Sequence, residues 1–416
     1  MCIGLNDKSR MKREFHVRFC ESLRGRFLGA TRPSRQVMHY VIFLRTKIIM
    51  GSIKMWAIFF ILPDITLNKP VGNEYISIAH HDDSRVYKDI AKSPFAKSLV
   101  RNFEDQFGRQ VHPSLLIIND NAPDSIKGIE SIVGFRNAFA LSTIIRGHEH
   151  SLRNTFVAYP LYSNYFDFYP ITISKNDDGF ITSSPSVLGF EDEYKQFRGQ
   201  TSPGLAGIGS LSARPDNQLF NLIERVWERR FIRGRVNEWS TRALFRSLEM
   251  AYQATTMPYK NHSTIYDYGS SASLWVSAFE IISHPRQGSA NLLSVLDLLG
   301  RYDWQDKVIK KKVYKTRYKG RDQRINLVQK LYKELYDTRN DFLHGNPVRL
   351  NRLHPFKSKK IQPITRFAPL IYKVALLSFL DQFKNRRKKA DWQKEYISKL
   401  INEEYLSEAI LKAKGS

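Results

Sequence analysis

The chain has 416 residues, 42% hydrophobic and 25% charged, enough for two or three domains with true apolar cores. Its 65 Lys and Arg against 40 Asp and Glu give a formal charge of +25, which favours an anionic partner, nucleic acid or an anionic membrane surface, without choosing between them. Only Cys2 and Cys20 are present, which excludes a disulfide framework and a cysteine-built zinc site and suits a reducing cytoplasm.

Residues 1–54 read as a basic N-terminal extension in which Lys8, Arg10, Lys12, Arg13, Arg18, Arg24, Arg26, Arg32 and Arg35 face few acids. Three readings stand: a basic arm for nucleic acid, an appended helix, or a start codon placed too early, since Met50 and Met55 precede the first convincing element. The apolar run 55–62 is far shorter than the roughly 20 residues of a membrane helix, and no signal-peptide cleavage pattern follows it. A soluble, cytoplasmic protein with no membrane partner is expected.

Residues 55–200 carry mixed α/β signals. Strands are expected at 55–62, 75–78, 114–118, 155–162 and 169–174, where β-branched and aliphatic residues lie between turn formers. Apolar spacing from Ile129 to Ile145 predicts a helix over 126–146, started by Pro123-Asp124-Ser125. Asn176-Asp177-Asp178-Gly179 predicts a hairpin turn into Phe180. The Gly/Ser/Pro-rich stretch after Gln200 predicts a linker over 201–216. Its Gly204, Gly207 and Gly209 lack the Lys-Ser/Thr ending of a phosphate loop. His80-His81-Asp82-Asp83 and His148-Glu149-His150 lack helical i, i+4 ligand spacing and read as exposed polar loops. Neither a metal nor a cofactor is expected.

From 217 to 416 nearly everything reads as helix: 217–231, 238–253, 271–283, 290–299, 324–344, 364–383 and 392–412, with Gly and Pro in the gaps. The pattern predicts an antiparallel bundle and, with the first half, an α+β chain: a mixed α/β N-terminal domain followed by an all-α bundle.

The helix over 324–344 carries the chemistry. With Leu335 at zero and about 100° per residue, Val328, Leu331, Tyr332 and Phe342 fall within roughly 60° and form a buried stripe. Arg339 falls at about 40°, inside that stripe, where a guanidinium needs a partner or a polar cavity. Asn340 and His344 share another face, and Gly345 and Pro347 end the helix at His344. RNA can be cut without metal when its own 2′-hydroxyl attacks the adjacent phosphorus. Histidine supplies acid–base work near neutral pH, and arginine a planar donor fork for the developing phosphorane charge. Asn340 would orient the ring or donate to a phosphate oxygen.

Arg339-Asn340-x-x-x-His344, with Leu335 to Thr338 before it and Gly345 after it, resembles the motif of HEPN-type ribonucleases. The segment from Leu274 to Ile282 resembles the helix that brings an acidic residue, here Glu280, near the arginine. The resemblance covers at most residues 235–415, and its sharp part is about twenty residues. It implies a HEPN-like bundle with metal-independent endoribonuclease activity, a composite site between two paired copies, and a role as a toxin or defence effector. The alternative is a catalytically inactive HEPN-like module that binds protein or nucleic acid, with Arg339 paired to Glu280 and His344 capping the helix. Basic residues flank the motif in sequence: Lys310, Lys311, Lys312, Lys315, Arg317, Lys319 and Arg321 before it, Arg349 and Arg352 after it, and 386–389 further on. Tyr314 and Tyr318 among them could stack on bases, so these residues are the expected RNA contacts. The α/β domain resembles nothing recognisable and is expected to sense a trigger or a protein partner.

Overall fold

A computed structural model describes residues 56–154, 161–174, 176–183, 187–202, 214–235, 237–256, 264–318, 320–383 and 392–415. The N-terminal extension, most of the expected strand 155–162, most of the Gly-rich stretch and the basic run 386–389 lie outside them. The described residues are α+β, 53% helix and 14% strand with eleven helices.

The first half builds a four-stranded antiparallel sheet in the order β1-β6-β3-β2, from β1 (Trp56–Leu62), β2 (Val71–Gly72), β3 (Ile76–His80) and β6 (Ser114–Asn119). Central strand β6, Ser-Leu-Leu-Ile-Ile-Asn, is buried along its whole length because both faces are covered. Its side chains alternate in allegiance, as a period of two dictates. Leu116 and Ile118 join the large core that includes the bundle, and Leu115 and Ile117 join a smaller core on the other face. That smaller core is roofed by α1 (Tyr87–Lys92) and α2 (Pro94–Arg101), with the meander β7 (Ile171–Ile173), β8 (Phe180–Ser183) and β9 (Leu188–Glu191) beside it. The turn at 176–179 forms the expected hairpin, with Asp177 at φ 56. Helices α1 and α2 were not anticipated, although Ser93 caps α2 and Pro94 opens it. Short strands β4 (Phe103–Glu104), β5 (Gln110–Val111) and β10 (Gly199–Gln200) make a third small sheet.

Helix α3 (Ile129–Arg153) is longer than its apolar spacing suggested and corrects the reading of His148-Glu149-His150 as an exposed loop. These residues form its last turns, and His148 and Glu149 are buried. Gly147 lets the Leu161 side chain pack closely on this extension, since a Cβ there would sit 2.8 Å from it. The remaining helices are α4 (Asn217–Phe231), α5 (Trp239–Ala254), α6 (Ile265–Ser283), α7 (Leu292–Gly300), α8 (Lys307–Lys310), α9 (Leu327–Leu343), α10 (Ile364–Leu380) and α11 (Trp392–Leu411). Helix α3 packs against α4, α5, α10 and α11, so one continuous core runs from the sheet through the bundle and across the segment expected as a linker.

A buried ionic knot ties these helices together. The Lys373 ammonium of α10 lies 2.9 Å from the Glu149 carboxylate of α3 and 2.7 Å from that of Asp216, the N-cap of α4. All three are at most 7% exposed. Burial alone would lower the Lys373 pKa, yet Asp216 and Glu149 outweigh it and raise it.

The bundle is not purely helical, which corrects the all-α expectation for 217–416. Strands β11 (Tyr314–Tyr318) and β12 (Arg321–Ile325) form a hairpin in the basic run before the motif. This moves the start of α9 from 324 to Leu327. Asn326 and Gln329 close a capping box there, each side chain accepting the other's backbone N–H, at 3.0 and 2.9 Å.

Candidate active site

The motif occupies the C-terminal end of α9, against α6. The two helices run antiparallel: Phe342 meets Gly269 at one end, and Tyr332 meets Phe279 at 4.8 Å between ring centroids further along. A Cβ at Gly269 would come within 2.5 Å of the Phe342 ring, so glycine is what lets α6 approach the motif so closely. Val328, Leu331, Tyr332 and Leu335 are fully buried in this seam, as the helical stripe predicts.

Helix α9 stops in a Schellman motif. The Asn346 N–H donates to the Asp341 carbonyl at 3.0 Å and the Gly345 N–H to the Phe342 carbonyl at 3.3 Å, with Gly345 at φ 67. His344 is therefore the C-cap, leaves helical geometry at φ −92 and ψ 5, and presents its side chain at the surface. Its backbone N–H still donates to the Asn340 carbonyl at 3.0 Å.

Arg339 is half-buried in the seam. Its Nη1 donates to Asn340 Oδ1 at 3.0 Å, and its guanidinium carbon lies 5.9 Å from the centre of the Tyr336 ring. Its buried Nε has no hydrogen-bond partner. Among the described residues no ion pair joins Arg339 to Glu280, so the simple buried pair considered from sequence is not formed. The two interact only at longer range. Burial raises the Glu280 pKa, and the charge of Arg339 offsets part of that. Between them lies Tyr332, whose buried hydroxyl also lacks a partner and whose pKa is raised well above the ordinary value, first by burial and then by Glu280. Tyr332 and Tyr336 were not assigned a polar role from sequence. The signal was their position three and seven residues before Arg339, on the same face.

The expected RNA contacts divide in space. Arg349 is exposed just beyond the motif. Arg352 is committed within the chain: its Nε donates to Asp341 at 2.6 Å, and this bond helps hold the segment after α9 back along the helix. Further along that segment the Phe356 N–H donates to Glu334 at 2.9 Å, and its ring lies 5.8 Å from Tyr314. Lys310, Lys311, Lys312, Lys315 and Arg317 are exposed on α8 and the hairpin. Lys310 pairs with Asp303 at 2.9 Å, and Arg317 lies 3.8 Å from Asp322. Lys319 and the Arg321 side chain lie outside the described residues. Because the hairpin leads into the N-terminus of α9, its base sits about 27 Å from His344 along the helix axis, at 1.5 Å per residue. Adjacency in sequence is not adjacency here.

No helix among the described residues is long and apolar enough to cross a membrane. No protein-family model matches this chain, and no curated protein and no solved structure matches it either.

Proposed function

We propose that the chain is a metal-independent endoribonuclease of HEPN type, acting through Arg339 and His344 with Asn340 in support. One observation carries this reading: the Arg339 guanidinium sits at a helix seam with no carboxylate closed upon it, fixed by Asn340, and His344 stands at the surface on the C-cap that follows. An arginine recruited for architecture would be expected to close on Glu280, because an unpaired buried donor is costly. Here the fork keeps capacity for a phosphate.

In the proposed reaction an RNA 2′-hydroxyl loses its proton to one imidazole and attacks phosphorus. The arginine fork stabilises the phosphorane, and the 5′-oxygen leaves with a proton, giving a 2′,3′-cyclic phosphate. Two proton transfers suit two histidines, so the active form is a homodimer with two motifs facing one another. Tyr266 (73% exposed) and Leu343 (47%) flank His344 at the outer end of the α6/α9 seam and supply the apolar surface that such pairing needs. The same surface suits the second reading, an inactive HEPN-like module that holds a partner. A toxin or phage-defence role follows from the resemblance alone, the cytoplasm from the sparse cysteine, and a trigger sensed through the α/β layer from the order of the two parts.

Incubation of wild type, His344→Ala and Arg339→Lys with end-labelled RNA in EDTA tests this. Cleavage by wild type, leaving cyclic phosphate ends and lost in both variants, is the expected result. Cleavage that persists in His344→Ala sinks it, and equal inertness of all three favours the binding module.

A further inference from the structure

We propose that His80, His81 and Asp82 form a site for a divalent transition-metal ion such as Zn2+, at the end of β3 and far in sequence from the nuclease motif. In sequence the His-His-Asp-Asp run offered no ligand set. The fold changes that in two ways. First, the chain turns sharply after β3. The Asp83 N–H donates to the His80 carbonyl at 3.0 Å, closing a β-turn that brings two successive histidines, which would point to opposite faces in a strand, to 4.0 Å between ring centroids. Second, β3 pairs antiparallel with β6, with His80 opposite Ser114. Continuing that register carries His112 beside the turn, and its ring stacks on His81 at 4.6 Å with only 6° between planes.

The ligand atoms are already close to coordinating distances. Asp82 Oδ2 lies 3.1 Å from His81 Nε2 and 3.9 Å from His80 Nδ1, and the three groups offer atoms all within 4.8 Å of one another. Metal–ligand bonds of about 2.0–2.1 Å at tetrahedral angles put ligand atoms roughly 3.3 Å apart. A contraction of at most about 1.5 Å on the longer edges therefore completes the set. Asp83 is not a competitor, because Arg85 holds both its oxygens at 2.8 and 2.9 Å. An ion would displace the long bond from the Asp82 N–H to His80 Nδ1 at 3.3 Å and take the place of the proton between His81 Nε2 and Asp82 Oδ2 at 3.1 Å.

The His81 ring is held in place before any ion arrives. Its side chain is 8% exposed, its Nδ1 is buried without any hydrogen-bond partner, and its Nε2 faces Asp82. With Nδ1 enclosed, Nε2 is the nitrogen turned toward the other two ligands, and stacking against His112 fixes that orientation. Two imidazoles and one carboxylate, with a fourth position open to water, suit zinc and its neighbours rather than calcium or magnesium.

Titration of chelator-stripped protein with Zn2+, by calorimetry, and with Co2+, by its visible absorption, tests the site. One equivalent is expected to bind, with a tetrahedral or five-coordinate Co2+ spectrum. His80→Ala and Asp82→Ala, both at exposed or half-exposed side chains, should keep the far-ultraviolet dichroism and weaken binding by more than about 100-fold. His112→Ala removes only the stacking partner of His81 and should weaken it by less than either ligand change. Absence of saturable binding to the wild type, or wild-type affinity in either His80→Ala or Asp82→Ala, overturns the proposal. RNA cleavage does not enter the readout, so the outcome is independent of the nuclease reading.

Discussion

Two of the places where the bundle takes charge inside do it in opposite ways. In the Lys373 knot every charged group has a partner of opposite sign within 3 Å, and three helices are joined by it. In the Arg339 seam the guanidinium, the Glu280 carboxyl and the Tyr332 hydroxyl share a part-buried space without closing on one another. Satisfied burial of this kind stabilises an architecture. Unsatisfied burial at a surface-reaching seam holds capacity for something that arrives, at an expense the rest of the fold must cover.

Breaking the knot should have the largest effect. Lys373→Met leaves Glu149 and Asp216 buried without a cation and should cost about 3–5 kcal/mol, read as a fall in chemical-denaturation midpoint. A loss under about 1 kcal/mol would show that the knot does not hold the helices together. Asp64 offers an intermediate case. It is 2% exposed and accepts hydrogen bonds from the Ser202 N–H and hydroxyl at 2.9 and 3.1 Å. Burial raises its pKa from 3.8 to about 6, against the pull of those bonds. Because the folded value lies above the unfolded one, its contribution is whole below pH 3.8 and is lost as pH rises through about 6. A shift of that size corresponds to about 3 kcal/mol. Asp64→Asn should remove that slope from a stability–pH curve and raise the melting temperature at pH 8; an unchanged slope would place the proton elsewhere.

The seam should respond in activity more than in stability. Arg339→Lys keeps the charge but loses the fork, and is expected to lower RNA cleavage by about 100-fold or more while shifting stability by under about 1 kcal/mol. Loss of stability on the scale of Lys373→Met would return Arg339 to an architectural role. Glu280→Gln should have the smallest effect. The amide imitates the protonated form that burial already favours, so stability at pH 7 should change by less than about 1 kcal/mol, upward if at all. A clear destabilisation would mean that Glu280 and Arg339 behave as an ion pair after all.

Much of the bundle was legible from spacing. The helix expected over 217–231 is Asn217–Phe231, because Asp216 caps it with its own side chain and an apolar stripe runs its length. Gly345 ends α9 where its positive φ predicts. What misled was charge. The basic residues before the motif read only as RNA contacts, yet Tyr314 to Ile325 pair as a hairpin that buries Thr316 and Ile325. His148 and Glu149 looked polar and exposed, yet packing around α3 and the partner Lys373 internalise them. Neither outcome is visible in local pattern, because the partner lies more than 200 residues away in the second case.

Local pattern alone established that the second half is mainly helical, where α4 begins and ends, that Gly345 stops α9, and that an arginine lies within the buried stripe of α9, because periodicity and capping act over a few residues. What those side chains meet, and where several other helices begin and end, was settled by packing between distant segments. It left Arg339 without a closed ion pair, put the base of the basic hairpin a helix length from His344, and carried His112 onto His81 through strand register. Such encounters depend on contacts between distant segments, and no local rule of spacing encodes them.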